Sequence, residues 1–423
     1  MISYGIVTQT MAAVFTPTDI SLLKERFLNN ITPQGAVMAS PSKVDPDYYY
    51  DWVRDAAISM GLIEKWYALE KKPEDKARLI NYVYWVQKVQ HQVNPNIGQD
   101  ILGEPKFYLD GRPFDGQWGR PQNDGPALRA LTLIRFAKTL LKENEQTFVE
   151  QHLYGNSLDP NTMGAIKMDL EYVAHHWQEK NYDLWEEVYG DHFFTAVVQR
   201  IALLEGAELA DQLQDRSAAA YYRLQAGHVK TRLKQHINKE TGYVDATLAP
   251  HLGPQKSFEL DSAVILASLL SYEHDDSFPP DNAIVKKTVL ALKEQFSTLY
   301  PINKKHHGAV LFGRYPGDTY DGHRGDGLGN PWFILTATMA EYHYTLADIQ
   351  RKNNANKKEV EKQIHQGDAY LKLIKTYAPD LHLSEQINLE SGKQQGAASL
   401  TWSYVAVLRA IEARVNAHKS AVS

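Results

Sequence analysis

Apolar and polar residues alternate along the chain with a helical period almost from end to end, and the helices they predict come in two alternating kinds. One kind carries a single apolar stripe opposite a charged face. Near residues 18–30, Ile20, Leu23 and Phe27 form that stripe against Lys24, Glu25 and Arg26. Leu79, Val83, Val86 and Val93 repeat the pattern near 74–93, as do Ile166, Leu170, Val173 and Trp177 near 162–179. Further segments of this kind lie near 215–237, 281–297 and 356–376. Each should bury one face and solvate the other.

The second kind is apolar or small on most sides, near 55–69, 125–141, 192–209, 260–272, 331–347 and 397–413. The run from Ser262 to Leu270 has no strongly solvated face, so other helices must enclose it. Outer-type and inner-type helices alternate about six times. That is the pattern of an all-α (α/α)6 barrel, six inner helices wrapped by six outer ones. Strand signals are scarce, and no fixed sequence period points to a solenoid. Neither a separate β domain nor a Gly/Ser/Pro-rich linker divides the chain, so one domain over residues 1–423 is expected.

Composition narrows the function classes. A net charge of −6 leaves no basic surplus for a nucleic acid partner. No run of about 18 apolar residues predicts a membrane-spanning helix. The absence of cysteine excludes disulfides, catalytic thiols and thiolate metal sites. Met1 to Phe15 has no basic start and too short an apolar stretch for a signal peptide. Two compartments stay open: secretion, with the signal peptide absent from this chain, or the cytoplasm. A monomer is the default expectation.

The segments rich in Gly, Trp, Arg and acids fall just before inner-type helices, at 47–55, 111–126, 183–192, 313–331 and 384–402, with a plainer sixth at 248–261. In an alternating barrel the N-termini of all inner helices open on one end, so one cavity should receive side chains from every such loop. Two acidic positions stand out there: Glu186 in Asp183-Leu184-Trp185-Glu186-Glu187, and Glu385 in Ser384-Glu385-Gln386. Two carboxylates facing one pocket suit glycoside hydrolysis, one protonating the leaving oxygen and the other activating water. The adjacent Glu187 is a like charge that resists simultaneous ionisation of the pair, and Trp185 is placed to add partial desolvation.

Each of these residues also has a plainer reading. A Glu-Glu pair at a helix start is usually a favourable dipole interaction, and a lone loop glutamate is usually surface. Tyr48-Tyr49-Tyr50 fits packing, and Arg54-Asp55 fits a structural ion pair. Their convergence on one end of the barrel favours a site. No HExxH motif, P-loop or dinucleotide fingerprint is present, and the spacing of Asp318, Asp321 and Asp326 does not match an EF-hand loop. Neither a metal nor a cofactor is therefore expected. His175-His176, inside an amphipathic helix, reads as structural.

Taken together, five stretches resemble the family-15 glycoside hydrolases, the glucoamylases. They are Tyr48-Tyr49-Tyr50-Asp51-Trp52-Val53-Arg54-Asp55; the run Gly116 to Pro126 (GQWGRPQNDGP); Asp183 to Val188 (DLWEEV); Gly313-Arg314-Tyr315-Pro316 with Asn330-Pro331-Trp332; and Ser384-Glu385-Gln386 with Leu400-Thr401-Trp402-Ser403-Tyr404. The resemblance implies the (α/α)6 barrel and an inverting exo-hydrolase that releases β-D-glucose from α-glucans. Starch, glycogen and maltooligosaccharides are the implied substrates, with α-1,4 bonds cut faster than α-1,6. It implies Glu186 as general acid and Glu385 as general base, about 6.5–9.5 Å apart. Arg54, Asp55 and Arg314 would hold the terminal glucose, and Leu184 and Glu187 the sugars around the cut bond. Tyr48, Trp52, Trp118, Trp185, Trp332 and Trp402 would line the site.

Relatives of this sort can instead prefer isomaltose, dextran or trehalose. From a different class, a non-catalytic glycan-binding protein could afford to lose a carboxylate, whereas this chain keeps both. Two family modules are expected to be missing, a C-terminal starch-binding module and an N-terminal β-sandwich domain. The segment Tyr320 to Asn330 is also longer and richer in glycine than shorter forms of that loop.

Overall fold

The structure, a computed structural model, describes residues 13–419 except 255, 257, 258 and 276. Most of the segment read for a signal peptide and three positions of the 248–261 loop thus lie outside the described residues.

Twelve helices of 12 to 21 residues build the described chain. They are α1 (Pro17–Leu28), α2 (Val53–Glu70), α3 (Pro73–Gln90), α4 (Asp124–Lys142), α5 (Gly164–His176) and α6 (Phe193–Gln212). The second half holds α7 (Arg216–Leu233), α8 (Ala263–His274), α9 (Ala283–Leu299), α10 (Phe333–Lys352), α11 (Lys357–Tyr377) and α12 (Thr401–His418). The largest differences from the sequence-based boundaries, five residues, fall at the ends of α10 (347 against 352) and α12 (413 against 418).

Even-numbered helices form a closed inner ring: each packs on the next, and α12 returns to α2. Odd-numbered helices wrap it, with α3 on α2, α5 on α4, α7 on α6, α9 on α8, α11 on α10 and α1 on α12. The two burial patterns explain the sorting. In α7 the buried residues Ala218, Tyr222, Ala226, Val229 and Leu233 make one stripe. In α6 nearly every residue from Phe193 to Leu203 is buried, so it can only sit between other helices.

Side-chain caps among these twelve helices occur only in the outer ring, on four of its six members. Thr16, Asp215, Asn282 and Asn356 cap the outer helices α1, α7, α9 and α11 with side-chain oxygens. None of the six inner helices starts with a side-chain cap. Their positive dipole ends converge instead on one end of the barrel, a favourable setting for carboxylates.

That end is braced by short strands, two to six residues long, which hydrophobic periodicity cannot reveal. β1 (Asp51–Trp52) pairs with β2 (Lys106–Phe107). β3 (Asn181–Tyr182), β4 (Tyr189–His192) and β5 (Thr247–Leu252) form a small antiparallel sheet. β6 (Gln386–Ile387) pairs with β7 (Gln394–Gln395). All lie in connections leading into inner helices.

Asp51 shows what this packing costs. Its Oδ2 accepts the Val37 N–H at 2.8 Å, yet burial pushes its carboxyl up to about 7. Between the ordinary value of 3.8 and about 7, the unfolded chain has released this proton while the folded chain retains it. The contribution of Asp51 to stability therefore falls as pH rises through that window and stays low above it. Asp51→Asn is expected to raise Tm relative to the parent at pH 8, by a free energy of at most about 4 kcal/mol. At pH 4 the gain should vanish. Thermal scans at both pH values check this, and equal shifts would contradict it.

Candidate active site

The loops entering the inner helices enclose a cavity of about 600 Å³, within the range of ligand pockets. Glu186 enters it from a turn organised by Asp183. Asp183 Oδ1 accepts the N–H of Glu187 and of Val188, both at 2.8 Å, and its carbonyl accepts the Glu186 N–H at 2.9 Å. This closed turn holds Glu186 at φ 66°, a left-handed conformation that few non-glycine residues adopt. The carboxylate then receives three side-chain donors. Trp52 Nε1–H lies 3.1 Å from each oxygen, Gln122 Nε2–H is 2.7 Å from Oε2, and Trp118 Nε1–H also donates to Oε2.

Glu385 stands on a different wall, 1% exposed. Tyr48 donates to its Oε1 at 2.9 Å and Tyr320 to its Oε2 at 3.3 Å, and the two phenol oxygens are 2.8 Å apart. Burial pushes this carboxyl up to about 7, against the opposing pull of Tyr48 and Arg314. Its carboxylate is thus a stronger base than a solvated glutamate. The Tyr48 and Trp52 rings, 5.3 Å apart, join the two acidic positions through one aromatic contact.

Arg54 is held by Asp124 at 2.5 Å and by Gln122, while Asp55 is 3.7 Å away. The adjacent Arg54-Asp55 pair is therefore looser than a structural ion pair would be, and burial pushes Asp55 up to about 7. Arg314 binds Asp318 through two N–H groups at 2.6 and 2.8 Å, and Glu187 at 2.6 Å. Tyr315 O–H donates to the other Glu187 oxygen at 2.5 Å. The Trp185 ring stacks on Trp402 at 6.3 Å and leans on Trp332 at 5.8 Å.

All thirteen residues singled out from the sequence line this one cavity, Leu184 among them. One finer expectation is corrected. Glu187 faces Arg314 and Tyr315, so its charge is compensated there. Trp185 donates to Asp261 at 2.9 and 3.1 Å, and the indoles whose N–H groups reach Glu186 are Trp52 and Trp118.

Several residues of the site had no role in the sequence reading. Lys106 lies among the rings of Trp118, Tyr50, Phe114 and Trp52, with Nζ 3.7 to 4.6 Å from their centroids. Burial lowers its ammonium to about 8, while Glu186 pulls the other way. Only the pairing of Trp52 with Lys106 across β1 and β2 brings it in, a long-range contact without local signature. Tyr320 and Gln122 were quoted within motifs, but nothing local marked them as partners of the glutamates. Asp318 and Asp321, weighed as calcium ligands, instead bind Arg314 and the N–H groups of His323 and Arg324. Among the described residues no group of three or more His, Asp or Glu could hold a metal ion. Among the described residues no helix is long and apolar enough to cross a membrane.

Comparison with known proteins agrees with this architecture. The chain is 33% identical to a glucoamylase of Blastobotrys adeninivorans, over 93% of this chain and 70% of that protein. It is 34% identical to a probable glucoamylase of Schizosaccharomyces pombe, over 90% of this chain and 85% of that protein. Among solved structures, the family 15 glucoamylase of Hypocrea jecorina superposes with a TM-score of 0.84 at 30% identity, covering 94% of this chain and 71% of that one. The glucoamylase of Saccharomycopsis fibuligera gives 0.84 at 27%, covering 97% and 98%. Residues 23–412 match the family described as Glycosyl hydrolases family 15, and with the barrel, the cavity and these relatives in agreement, the chain belongs to that family.

Proposed function

We propose that this protein is an inverting exo-hydrolase of α-glucans, releasing β-D-glucose from the non-reducing ends of starch, glycogen and maltooligosaccharides. The observation that carries the reading is one cavity with two differently held carboxyls, Glu186 under indole and amide N–H groups and Glu385 buried against two phenols. The relatives called glucoamylases support it.

In this reading the terminal glucose fills the floor. Arg54, Asp55 and Arg314 bind its hydroxyls, and Trp402 and Leu184 supply apolar surface. Glu186 gives its proton to the glycosidic oxygen as that bond breaks. Glu385 takes a proton from a water on the opposite face of the ring, the tyrosines Tyr48 and Tyr320 orienting its carboxylate. Attack opposite to departure inverts the anomeric carbon. Tyr48, Trp52, Trp118, Trp185 and Trp332 form the aromatic sides and Glu187 contacts the next sugar. A monomer with a single catalytic domain belongs to the same reading.

Proton NMR in the first minutes of incubation with maltotriose tests the proposal. β-Glucose should appear first, with chains shortening by one unit. Early α-glucose would mean retention and would overturn the role of Glu385. Absence of hydrolysis, with turnover of isomaltose or trehalose instead, would move the activity to those bonds.

A further inference from the structure

The rim of the cavity carries a histidine with one ring nitrogen committed and the other left for a ligand. His323 lines the cavity beside Pro46, Asp47 and Tyr320. Its Nδ1 lies 3.1 Å from the carbonyl oxygen of Asp45 and 3.2 Å from Asp45 Oδ1. Both partners are acceptors, so Nδ1 carries the hydrogen and Nε2 is a lone pair in the neutral ring. Among the described residues no hydrogen bond engages Nε2.

The loop presenting this ring is held firmly. Asp321 Oδ1 accepts the N–H groups of His323 and Arg324 at 2.9 and 2.8 Å. The Asp321 carbonyl accepts from Asn330 Nδ2 at 3.4 Å and from Gln395 Nε2. Gly322, at φ 92°, lies so close to the β7 end that a Cβ there would come within 2.8 Å of Gly396 Cα. Gly396 in turn abuts the Glu385 carboxylate. The position of His323 is therefore referenced to Glu385 through two glycines that tolerate no side chain.

The contact also spans the mouth. Asp45 belongs to the segment carrying Tyr48, and His323 to the segment carrying Tyr320, the two phenols on Glu385. The His323 side chain is 36% exposed while Glu385 is 1% exposed, so His323 sits nearer the solvent than Glu385. Sugars beyond the terminal one extend toward the exposed rim of this cavity, which His323 lines.

Resting on the function proposed above, we propose that His323 Nε2 hydrogen-bonds a hydroxyl of the glucosyl chain on the leaving-group side. The residue thereby favours substrates that carry sugar there over those that do not. The test compares maltose and maltotriose, which leave as sugars, with α-D-glucosyl fluoride, which leaves as an ion. His323→Ala should lower kcat/KM for the oligosaccharides about 5- to 10-fold, the scale of one hydrogen bond. Hydrolysis of the fluoride should change less than about twofold on the same scale. His323→Asn keeps an N–H for Asp45 and removes Nε2, so it should lose the same selectivity as His323→Ala. If His323→Asn restores the parent selectivity, the bridge to Asp45 is what matters and the proposal fails. It fails equally if all substrates suffer alike or none suffers. A parent protein inert toward every one of these substrates would instead overturn the functional reading beneath it.

Discussion

Glu186→Gln and Glu385→Gln are each expected to lower kcat on maltotriose by at least about 10²-fold, the usual scale for losing a positioned acid or base. Their signatures should differ. A glutamine at 186 keeps hydrogen bonding with the Trp52, Trp118 and Gln122 cluster but has no proton to give. It should therefore regain much of the parent rate on α-D-glucosyl fluoride, whose leaving group needs no proton. A glutamine at 385 cannot accept a proton from water, so it should remain slow on both substrates. Parent-like turnover of maltotriose in either variant would remove that residue from its role.

Stability offers an independent readout for Glu385. Its carboxyl is pushed by burial from the ordinary 4.5 up to about 7. Across that window the unfolded chain binds fewer protons than the folded one, so the parent loses stability as pH rises through it. Glutamine removes the buried charge, and Glu385→Gln should melt above the parent at pH 8 and no higher than it at pH 4. A variant that is less active yet more stable at neutral pH is what a buried catalytic carboxylate predicts. A lower Tm at every pH would mark Glu385 as part of the scaffold.

How much of this was legible in the sequence depends on the range of the interaction. Alternation of one-striped and all-apolar helices is local, and it sufficed for the double ring, because α6 and α7 differ in which faces they can leave in water. The convergence of loops followed from connectivity alone. The partners inside the site were not local. Trp52 meets Lys106 through a two-residue strand pair, Tyr320 reaches Glu385 from 65 residues away, and Gln122 reaches Glu186 from 64. Glu186 and Glu187 are neighbours in sequence, and adjacency predicted mutual repulsion. The turn built on Asp183 sends Glu186 toward the indoles and Glu187 to Arg314, so the two meet different partners. Asp318 read as one of three spaced acids, while its partner Arg314 was four residues before it.

That partnership gives the second large effect. Arg314 is buried among Trp185, Tyr315, Tyr320 and Trp332, with its guanidinium 5.2 to 5.6 Å from their centroids. It neutralises Asp318 and Glu187 at once, and its carbonyl accepts the Ser262 N–H at 2.8 Å, tying two site loops together. Arg314→Leu leaves two carboxylates in a desolvated place without their cation, a change that costs about 3–5 kcal/mol. Its charge also opposes the rise in Glu385, so removing it pushes that carboxyl higher and leaves less of it ionised. Arg314→Leu should therefore lower Tm and reduce kcat/KM on maltotriose at least about 10²-fold, the scale of a lost catalytic base. Arg314→Lys should restore little, since an ammonium cannot offer the planar fork that Asp318 and Glu187 share. The double variant Arg314→Leu/Asp318→Leu separates the two roles. Removing one stranded carboxylate should recover part of the lost Tm, because an apolar pair of similar volume can replace a buried ion pair. Activity should stay low, since the donor proposed to hold the sugar is still missing. Recovery of activity along with Tm would show that Arg314 serves the fold alone and makes no contact that the reaction needs.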